Sequence, residues 1–345
     1  MRAVLAIDLG GTKALAGVVG EDATILSRAR SRVAASTTWD ALADLVCETA
    51  NEALSGAGLT IAEVTALGIG VPGPTDVERG VATQLPNLGL FDVPVGETLS
   101  GRLGVPVVVE NDVNAGLLGE VWCGAAKGVR NVVGMFPGTG LGGGVVVDGR
   151  LVRGKTGITG EIGHMVMSPK GPPCGCGRRG CLEAYASRTA MEAWVAKRIA
   201  KGCQTPLAEA LEKGGGRIRS RAFLRAAEAG DEVALAAIER VSTYLGYASA
   251  NLIHLLSPEM IVLGGGVVEA LAGFMLDTVR KVAEERCLPG CFDGVRIVEA
   301  QCGDDAIVLG VASLAFESVA TPAAKARRTR TTASARTRSR TRKPS

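Results

Sequence analysis

The chain has 345 residues, 47% of them hydrophobic and 3% aromatic, and it contains 47 glycines. This length is enough for about two domains, and the composition is typical of an α/β protein with many tight turns. No apolar run approaches the ~20 residues with which a helix spans a bilayer, so the sequence predicts no membrane-spanning helix. The formal net charge of +3 is unevenly distributed: residues 321–345 hold nine of the 38 Lys and Arg and no acid, and the preceding residues carry 29 basic and 35 acidic groups.

The first part of the chain is predicted to form short strands and two helices. Its apolar residues alternate or run together in short segments, as in strands, whereas residues 39–57 and 114–121 have helical apolar spacing. A Pro-Gly-Pro sequence at 72–74 ends one strand sharply. The predicted strands are 4–9, 14–19, 25–32, 64–71 and 105–109.

The second part repeats an arrangement of the first, in which a strand passes through a glycine turn with a threonine into another strand. This repetition predicts an internal duplication. The two repeats are strands 4–9 and 14–19 joined by Gly10–Thr12, and strands 132–136 and 145–148 joined by residues 137–144. The remaining predictions are helices at about 182–202, 220–256 and 304–316, and a strand at 260–263.

The two glycine turns are candidate phosphate-binding sites. Backbone N–H groups without neighbouring Cβ atoms form a concavity for anions, and the hydroxyls of Thr12 and Thr139 add donors. The alternative is an ordinary hairpin in which glycine supplies the positive φ. A third glycine run, Gly264–Gly266, follows a predicted strand and favours phosphate binding. Asp8, at the end of the first strand, is suited to orient Mg²⁺ directly or through water.

Two common nucleotide-binding motifs are excluded. The pattern G-x-G-x-x-G occurs at 68–73 and 138–143. Prolines follow the first and a continuing strand follows the second, where a dinucleotide-binding fold requires a helix. The sequence contains no G-x-x-x-x-G-K-[ST], so it has no P-loop.

Asp112 is the candidate catalytic carboxylate. It follows a strand in the sequence Glu110-Asn111-Asp112-Val113-Asn114, where a rigid element can hold it at the edge of a cleft. There it can take the proton of a substrate hydroxyl as that hydroxyl attacks a phosphoryl group, which contributes about 10²–10⁴-fold to such reactions. The alternative is that Asp112 caps the N-terminus of the following helix.

One histidine and three cysteines lie close together in the sequence. His164, Cys174, Cys176 and Cys181 supply the complete donor set of a tetrahedral structural zinc site. The alternatives are small buried hydrophobes or a disulfide. An odd total of nine cysteines and the lack of a secretory signal predict a reduced, cytoplasmic setting, which favours metal over disulfides.

These motifs occur in the order seen in the ROK family, which the chain resembles from residue 3 to about 318. That family comprises bacterial sugar kinases and sugar-responsive repressors. The resemblance implies an α/β, two-lobed actin-like or hexokinase-like ATPase fold with duplicated ribonuclease-H-like cores and a structural zinc loop. The motifs that carry it are Asp8-Leu9-Gly10-Gly11-Thr12-Lys13, Glu110–Asn114, Gly138-Thr139-Gly140, Gly160–His164 and Cys174 to Glu183.

The resemblance also implies a role for each motif. Asp112 would be the general base for the 6-hydroxyl of a hexose, with ATP and Mg²⁺ on the other side. His164 would bind zinc through one ring nitrogen and face the sugar with the other. The sugar would be held by Asn87, Asn111, Glu161, His164 and Glu183. The nucleotide would be held by Asp8, Gly10, Gly11, Thr12, Lys13, Gly138, Thr139 and Gly140 at its phosphates and by Gly264, Gly265 and Gly266 at its adenosine.

The predicted domains are a small N-terminal lobe at 1–110, a large lobe at 111–304 with the zinc loop at 160–185, and a closing helix at 305–320 that returns to the small lobe. The two lobes would close over the cleft to exclude water. Residues 321–345 lack apolar periodicity and are predicted to be disordered. This basic tail would either contact a polyanion or be a solvated extension without a specific partner.

Glucose is the expected substrate on the frequency of that activity in the family. Kinases of N-acetylmannosamine, fructose, allose or N-acetylglucosamine share the same motifs, and polyphosphate remains an alternative to ATP as donor. The expected assembly is a homodimer or homotetramer. A family repressor would carry an N-terminal helix-turn-helix segment, for which residues before Asp8 leave no room. A non-catalytic sugar sensor would not need Asp112 or the two threonines.

Overall fold

The computed structural model describes residues 2–34, 38–86 and 88–320. The strands in these ranges are β1 Ala3–Leu9, β2 Lys13–Gly20, β3 Ile25–Arg32, β4 Val64–Val71, β5 Thr75–Asp76, β6 Val81–Leu85, β7 Leu90–Val93, β8 Val107–Asn111, β9 Val132–Pro137, β10 Leu141–Val147, β11 Arg150–Leu151, β12 Met260–Leu263 and β13 Arg296–Glu299. The α-helices are α1 Trp39–Gly56, α2 Val95–Leu103, α3 Asp112–Trp122, α4 Glu183–Ala186, α5 Arg188–Ile199, α6 Leu207–Lys213, α7 Ser220–Glu228, α8 Glu232–Leu256, α9 Val268–Arg286 and α10 Ala306–Ala320.

Two five-stranded sheets share one strand order. The first is β3-β2-β1-β4-β8 and the second is β11-β10-β9-β12-β13. In each sheet the central strand, β1 or β9, forms an antiparallel hairpin with the next strand and runs parallel to a later one. The duplication predicted from the glycine turns is therefore confirmed. A small third sheet, β5-β6-β7, follows β4.

The two glycine turns lie at equivalent places in the two sheets. The β1–β2 pairing ends at Leu9 opposite Ala14, and the β9–β10 pairing ends at Pro137 opposite Leu141. Each turn is closed by a backbone hydrogen bond of 2.8 Å from its first glycine. Because β1 and β9 each run parallel to a neighbouring strand, both turns lie at the carboxyl ends of parallel strands, where open α/β sheets bind ligands.

Helix α10 packs tightly between the first sheet and α3. Val311 of α10 lies in the same buried cluster as Ala6 of β1. A Cβ atom on Gly68 would lie 2.1 Å from the carbonyl oxygen of Val311, and one on Gly310 would lie 1.7 Å from that of Ala115. Glycine at both positions therefore permits a backbone approach that no other residue allows.

The other face of the first sheet packs on α1 and α2. The second sheet has a larger core, to which α8 and α9 contribute Leu245 and Val279. Among the described residues, no helix is both long enough and apolar enough to cross a membrane. The predicted disordered tail, residues 321–345, lies outside the described residues.

Two long helices predicted from the sequence are each divided into two shorter helices in the structure. The prediction at 182–202 covers α4 and α5, which are separated at Ser187, the N-cap of α5. The prediction at 220–256 covers α7 and α8, which are separated by Gly230 with φ of +78°. Asp231 then caps α8 through its side chain. Apolar spacing continues across both breaks, so periodicity alone could not locate them.

Other boundaries also differ from the sequence prediction. Strand β10 begins at Leu141, so the glycines that follow belong to the strand and only residues 138–140 form the turn. A Cβ atom on Gly143 would lie 2.6 Å from the side chain of Ile162, which explains the glycine inside a strand. The closing helix begins at Ala306 after a 3₁₀ turn. Helices α2, α6 and α9 and strands β5, β6, β7, β11 and β13 were not predicted.

Candidate active site

Asp112 is the first residue of α3, directly after β8. The side-chain oxygen of Asn111 accepts hydrogen bonds from the backbone N–H groups of Val113 (3.0 Å) and Asn114 (3.1 Å). Asn111 is therefore the N-cap, and the alternative that Asp112 has this role is wrong. Asp112 Oδ1 accepts from Asn111 Nδ2 at 3.0 Å and from Val113 N at 2.9 Å. The cap thus holds the Asp112 carboxylate in a fixed orientation.

The surroundings of Asp112 make its carboxylate more basic. Burial raises the pKa of Asp112 to about 6, the backbone N–H of Val113 lowers it, and the nearby carboxylate of Asp8 raises it. A carboxyl group with this pKa is ionised at pH 7, yet it accepts a proton more readily than an exposed aspartate. This combination is suited to a general base.

Asp112 and Val113 line two different cavities. The first, here called the Glu161 cavity, has a volume of about 170 Å³ and is also lined by Asn111, Asn114 and Glu161. The second, here called the Asp8 cavity, has a volume of about 320 Å³ and is also lined by Asp8, Gly10, Lys13 and Gly265. Asp112 is therefore accessible to ligands in both spaces.

The Glu161 cavity has a polar wall built on a buried network. Glu110, which is 1% exposed, accepts hydrogen bonds from Arg153 Nε (2.8 Å) and from the side-chain amide of Asn114 (3.2 Å). Asn114 is itself 3% exposed, and its Oδ1 has no hydrogen-bond partner among the described residues. A buried acceptor of this kind favours a hydrogen-bond donor as its partner, because leaving it unpaired costs free energy. The cavity therefore offers polar groups to a ligand that carries hydrogen-bond donors.

The predicted sugar-binding residues are only partly brought together. Asn111 and Glu161 line the Glu161 cavity. His164 lies next to it, with its Nε2 atom 3.8 Å from Glu161 Oε2. Glu183 instead contacts the second glycine turn, where its Oε2 accepts a hydrogen bond from Leu141 N at 2.9 Å. Asn87 lies outside the described residues.

The first glycine turn faces the Asp8 cavity with a buried acid. Asp8 is 6% exposed, and burial raises its pKa to about 6, while Lys13 lowers it and Asp304 raises it. Gly10 and Lys13 line the same cavity. Gly11 is partly buried beside them, and Thr12 lines a neighbouring shallow cavity with Lys13.

Of the other predicted nucleotide-binding residues, only one lines the Asp8 cavity. Gly265 lines it, whereas Gly264 packs against Phe136 and Gly266 lines a larger adjoining cavity of about 910 Å³. Gly138, Thr139 and Gly140 of the second turn are not among its lining residues. In this conformation, the first and third glycine runs meet at one cavity and the second turn lies apart from it.

The predicted zinc ligands form a compact cluster. One donor atom from each of His164, Cys174, Cys176 and Cys181 lies within 4.8 Å of the others. Cys174 Sγ is 3.8 Å from His164 Nδ1, and Cys176 Sγ is 3.7 Å from Cys181 Sγ. All nine cysteines are free, so the disulfide alternative is wrong in this structure. One imidazole and three thiols are a donor set that suits zinc.

The comparison with known proteins identifies the family. Residues 4–318 match the profile of the ROK family. The glucokinase of Thermotoga maritima is 35% identical over 317 residues, which are 92% of this chain and 98% of that protein. The chain belongs to the ROK family.

Two further relatives of this ROK protein have different functions, one being a glucokinase and the other a repressor. The structure of a ROK family glucokinase from Streptomyces griseus in complex with glucose and AMPPNP has a TM-score of 0.75 and 34% identity, covering 91% of this chain and 99% of that one. A xylose repressor from Caldicellulosiruptor bescii is 31% identical over 258 residues, which are 74% of this chain and 63% of the repressor. The predicted α/β, hexokinase-like fold of the family is thereby confirmed.

Several residues of this ROK protein reach the two cavities without having been predicted to do so. Asn114 was noted in the motif after β8 but was given no role. Glu269 and Asp304 line the Asp8 cavity, and burial raises the pKa of Glu269, with Asp304 adding to the rise. Two adjacent acids at 304–305 after a glycine were the available signal. Nothing local in the sequence relates them to Asp8.

Proposed function

We propose that this ROK protein is an ATP-dependent glucose kinase in which Asp112 is the general base. The observation that carries the proposal is the position of Asp112 in the walls of both the Glu161 cavity and the Asp8 cavity. Phosphoryl transfer requires the acceptor oxygen in line with the γ-phosphorus and a base within hydrogen-bonding reach of the acceptor hydroxyl, so the base must lie where the acceptor and donor sites meet. The Streptomyces griseus relative, bound to glucose and AMPPNP, supports the choice of both substrates.

The proposed step is a direct transfer to the 6-hydroxyl of glucose. Asp112 accepts the proton of this hydroxyl while its oxygen forms a bond to the γ-phosphorus of ATP. The bond between that phosphorus and the β–γ bridging oxygen breaks, and the electron pair remains on ADP. Asn111 fixes Asp112 through its side-chain amide, and Asn111, Asn114, Glu161 and His164 offer hydrogen bonds to the sugar hydroxyls. Glu183 and Asn87 complete the proposed sugar site.

The nucleotide is proposed to lie along the glycine runs. Gly10, Gly11, Thr12 and Lys13 would surround its phosphates together with Gly138, Thr139 and Gly140, and Gly264–Gly266 would contact its adenosine. Asp8, with Glu269 and Asp304 around the same cavity, provides the oxygen donors that Mg²⁺ prefers. Bound Mg²⁺ neutralises charge on the transferring phosphate.

A structural zinc ion is proposed at His164, Cys174, Cys176 and Cys181. The donor set fits, because the four donor atoms already lie within 4.8 Å of one another. His164 directs Nδ1 at the thiols and Nε2 at Glu161. Zinc would thus fix the imidazole beside the sugar site without taking part in the transfer.

The proposed lobes follow the two sheets. The boundaries are 1–110 for the small lobe, 111–304 for the large lobe and 305–320 for the closing helix. Support comes from the repeated strand order and from the packing of α10 on the first sheet. Closure of the lobes would exclude water from the γ-phosphate. The oligomeric state and the cytoplasmic location stay predictions from the sequence.

Two alternatives are separable from glucose phosphorylation. Another hexose can occupy the same site, because the Glu161 cavity offers hydroxyl-binding groups rather than a group specific to one sugar. A sugar-responsive regulator is the second candidate, because a xylose repressor is 31% identical. A regulator would bind sugar without turnover.

The decisive experiment uses the purified full-length protein with a panel of hexoses and either ATP or polyphosphate. Sugar phosphate is detected by mass spectrometry, and sugar binding is measured by calorimetry. We expect glucose 6-phosphate with ATP. Binding of a hexose without phosphorylation by either donor would refute the kinase, whereas faster turnover of another hexose would correct only the substrate.

A further inference from the structure

A basic cavity adjoins the nucleotide site. It has a volume of about 910 Å³ and includes Gly266 of the third glycine run. Its basic lining residues outnumber the acidic ones, Glu192 and Glu269, and they are Arg188, Lys213, Arg217, Arg219 and Arg221. An excess of positive charge next to glycine turns is suited to a phosphorylated ligand.

Arg188 differs from the other basic residues of this cavity in its burial and contacts. Its side chain is 28% exposed, whereas Lys213, Arg217, Arg219 and Arg221 are exposed. Its Nη2 atom donates to Thr139 Oγ1 at 2.6 Å, and its backbone N–H donates to the carbonyl oxygen of Gly138 at 2.9 Å. Arg188 therefore connects the basic cavity to the second glycine turn.

A buried acid orients the Arg188 guanidinium. Glu192 lies one turn later on α5 and is 9% exposed, and its Oε1 is 3.6 Å from Arg188 Nε. The same oxygen accepts a hydrogen bond from the backbone N–H of Ile218 at 2.9 Å, which fixes the carboxylate. Arg188 Nη1 has no hydrogen-bond partner within the described part of the chain. The guanidinium is thus fixed on one side and free to bind an anion on another.

The contact with Arg188 determines the role of the Thr139 hydroxyl. Guanidinium N–H groups only donate, so Thr139 Oγ1 is the acceptor in this bond. The proton of the hydroxyl must then point away from Arg188 and can be donated to another acceptor. A phosphate oxygen is such an acceptor, and Arg188 Nη1 can donate to the same phosphate chain.

We propose that Arg188 belongs to the nucleotide site, where it binds a phosphate group of ATP or ADP and positions the Thr139 hydroxyl to donate to it. Glu192 holds the guanidinium in place. This assignment rests on the proposed nucleotide-binding function. It adds Arg188, which is distant in sequence from both glycine turns, to the residues proposed to bind the nucleotide. Arg188 takes no proton and breaks no bond.

The test compares the variants Arg188→Ala and Arg188→Lys with Arg198→Ala. Arg198 lies on the same helix, but its guanidinium stacks on Trp194, 4.5 Å from the ring centroid, so its loss should leave ATP kinetics unchanged. For Arg188→Ala we expect the KM for ATP to rise and kcat to fall, each about tenfold, because a charged hydrogen bond is lost. The KM for glucose should stay within twofold. Arg188→Lys should restore part of the loss.

Two measurements distinguish positioning from simple packing. In a Thr139→Val background, Arg188→Ala should lower kcat less than it does in the wild-type background, because the part of its effect that acts through the hydroxyl is already lost, whereas loss of the direct phosphate contact should still raise the KM for ATP. If Arg188→Ala unfolds, Glu192→Gln still tests the proposal. It keeps the acceptor for Ile218 N but removes the negative charge beside Arg188, and we expect a rise of about threefold in the KM for ATP.

Calorimetry with ADP separates this inference from the proposed function. Wild-type protein that binds ADP but phosphorylates no hexose would refute the kinase alone, and the loss of ADP affinity in Arg188→Ala, expected to be about tenfold, would still support the role of Arg188. ADP affinity and ATP kinetics within twofold of wild type in Arg188→Ala would overturn the inference. Failure of the wild-type protein to bind ADP would overturn both.

Discussion

The first and second glycine turns occupy equivalent positions in two sheets of the same strand order, but different side chains lie beside them. Two residues before the first turn is the buried acid Asp8, and the equivalent position before the second turn is Phe136. The second turn instead receives the guanidinium of Arg188 from a helix. The two turns thus share one backbone arrangement, and the side chains beside them give them different proposed roles: the first turn lies beside the proposed Mg²⁺ site, and the second is proposed to contact phosphate together with Arg188.

The largest expected effect concerns the group between the two cavities. Asp112→Asn should lower kcat by about 10²–10⁴-fold, because an amide cannot accept the proton of the sugar hydroxyl. Glucose and ADP affinities, measured by calorimetry, should stay within about threefold. Asp148→Asn is the matched control, since Asp148 is exposed and lines neither cavity. Near-full activity of Asp112→Asn would remove the assigned base.

The acid at the first turn gives the next largest expected effect. Asp8→Asn should lower kcat/KM for ATP on the order of a hundredfold and raise the Mg²⁺ concentration needed for half-maximal rate, because the carboxylate proposed to bind the metal is lost. Glucose affinity should not change. An unchanged Mg²⁺ dependence would show that the two turns do not differ in the proposed way.

Zinc removal tests the surroundings of the second turn. Glu183 links the cysteine loop to this turn, because its Oε2 accepts from Leu141 N and its Oε1 lies 3.3 Å from Cys174 Sγ. Stripping zinc with a chelator should weaken glucose binding by about 10–100-fold, as His164 and Glu183 lose their support.

The control for zinc removal is ADP binding, which should change less than glucose binding. Restoring zinc should restore glucose affinity. Metal-free protein that remains folded by circular dichroism and keeps full glucose affinity would contradict the proposed link between metal and sugar.

The smallest expected effect is the dependence of activity on pH. Asp112 must be ionised to accept a proton, and burial raises its pKa to about 6. Activity should therefore be present above pH 6 and should fall as pH decreases through 6, reaching about a tenth of its plateau near pH 5. The measurement is kcat/KM for glucose between pH 4.5 and 8, with a return to pH 7.5 to exclude unfolding. A profile that stays flat down to pH 4.5 would show that Asp112 titrates as an ordinary aspartate.

Local sequence patterns predicted the parts of the site that depend on neighbouring residues. The predicted zinc ligands lie close together in one segment, and the first glycine turn follows directly from the strand that carries Asp8. Their geometry is set by backbone conformation over a few residues, so spacing was enough to recognise it. Asn111 was also recognised as a site residue, although the helix-cap role that it has in the structure was considered only as an alternative for Asp112.

Long-range contacts explain what the sequence could not predict. Arg188 contacts Thr139 across 49 residues of sequence, and Asp304 raises the pKa of Asp8 although the two residues lie near opposite ends of the chain. These contacts depend on how α5 and the segment before α10 pack against the sheets. Apolar spacing in the sequence does not predict which individual residues meet in that packing. The same limit hid the break at Gly230, because the apolar pattern of the two helices remains in phase across it.

The position of α10 has a consequence for the order in which the protein can fold. Its residues cover the face of the first sheet that carries Val4, Ala6 and Ala66, which leave the ribosome long before it. Until α10 emerges, this face stays exposed to water and to other chains, whereas the face against α1 can already be buried. The first strands to be synthesised are thus among the last to have both faces buried. Until α10 is available, their apolar face could be bound by a chaperone that recognises exposed apolar surface.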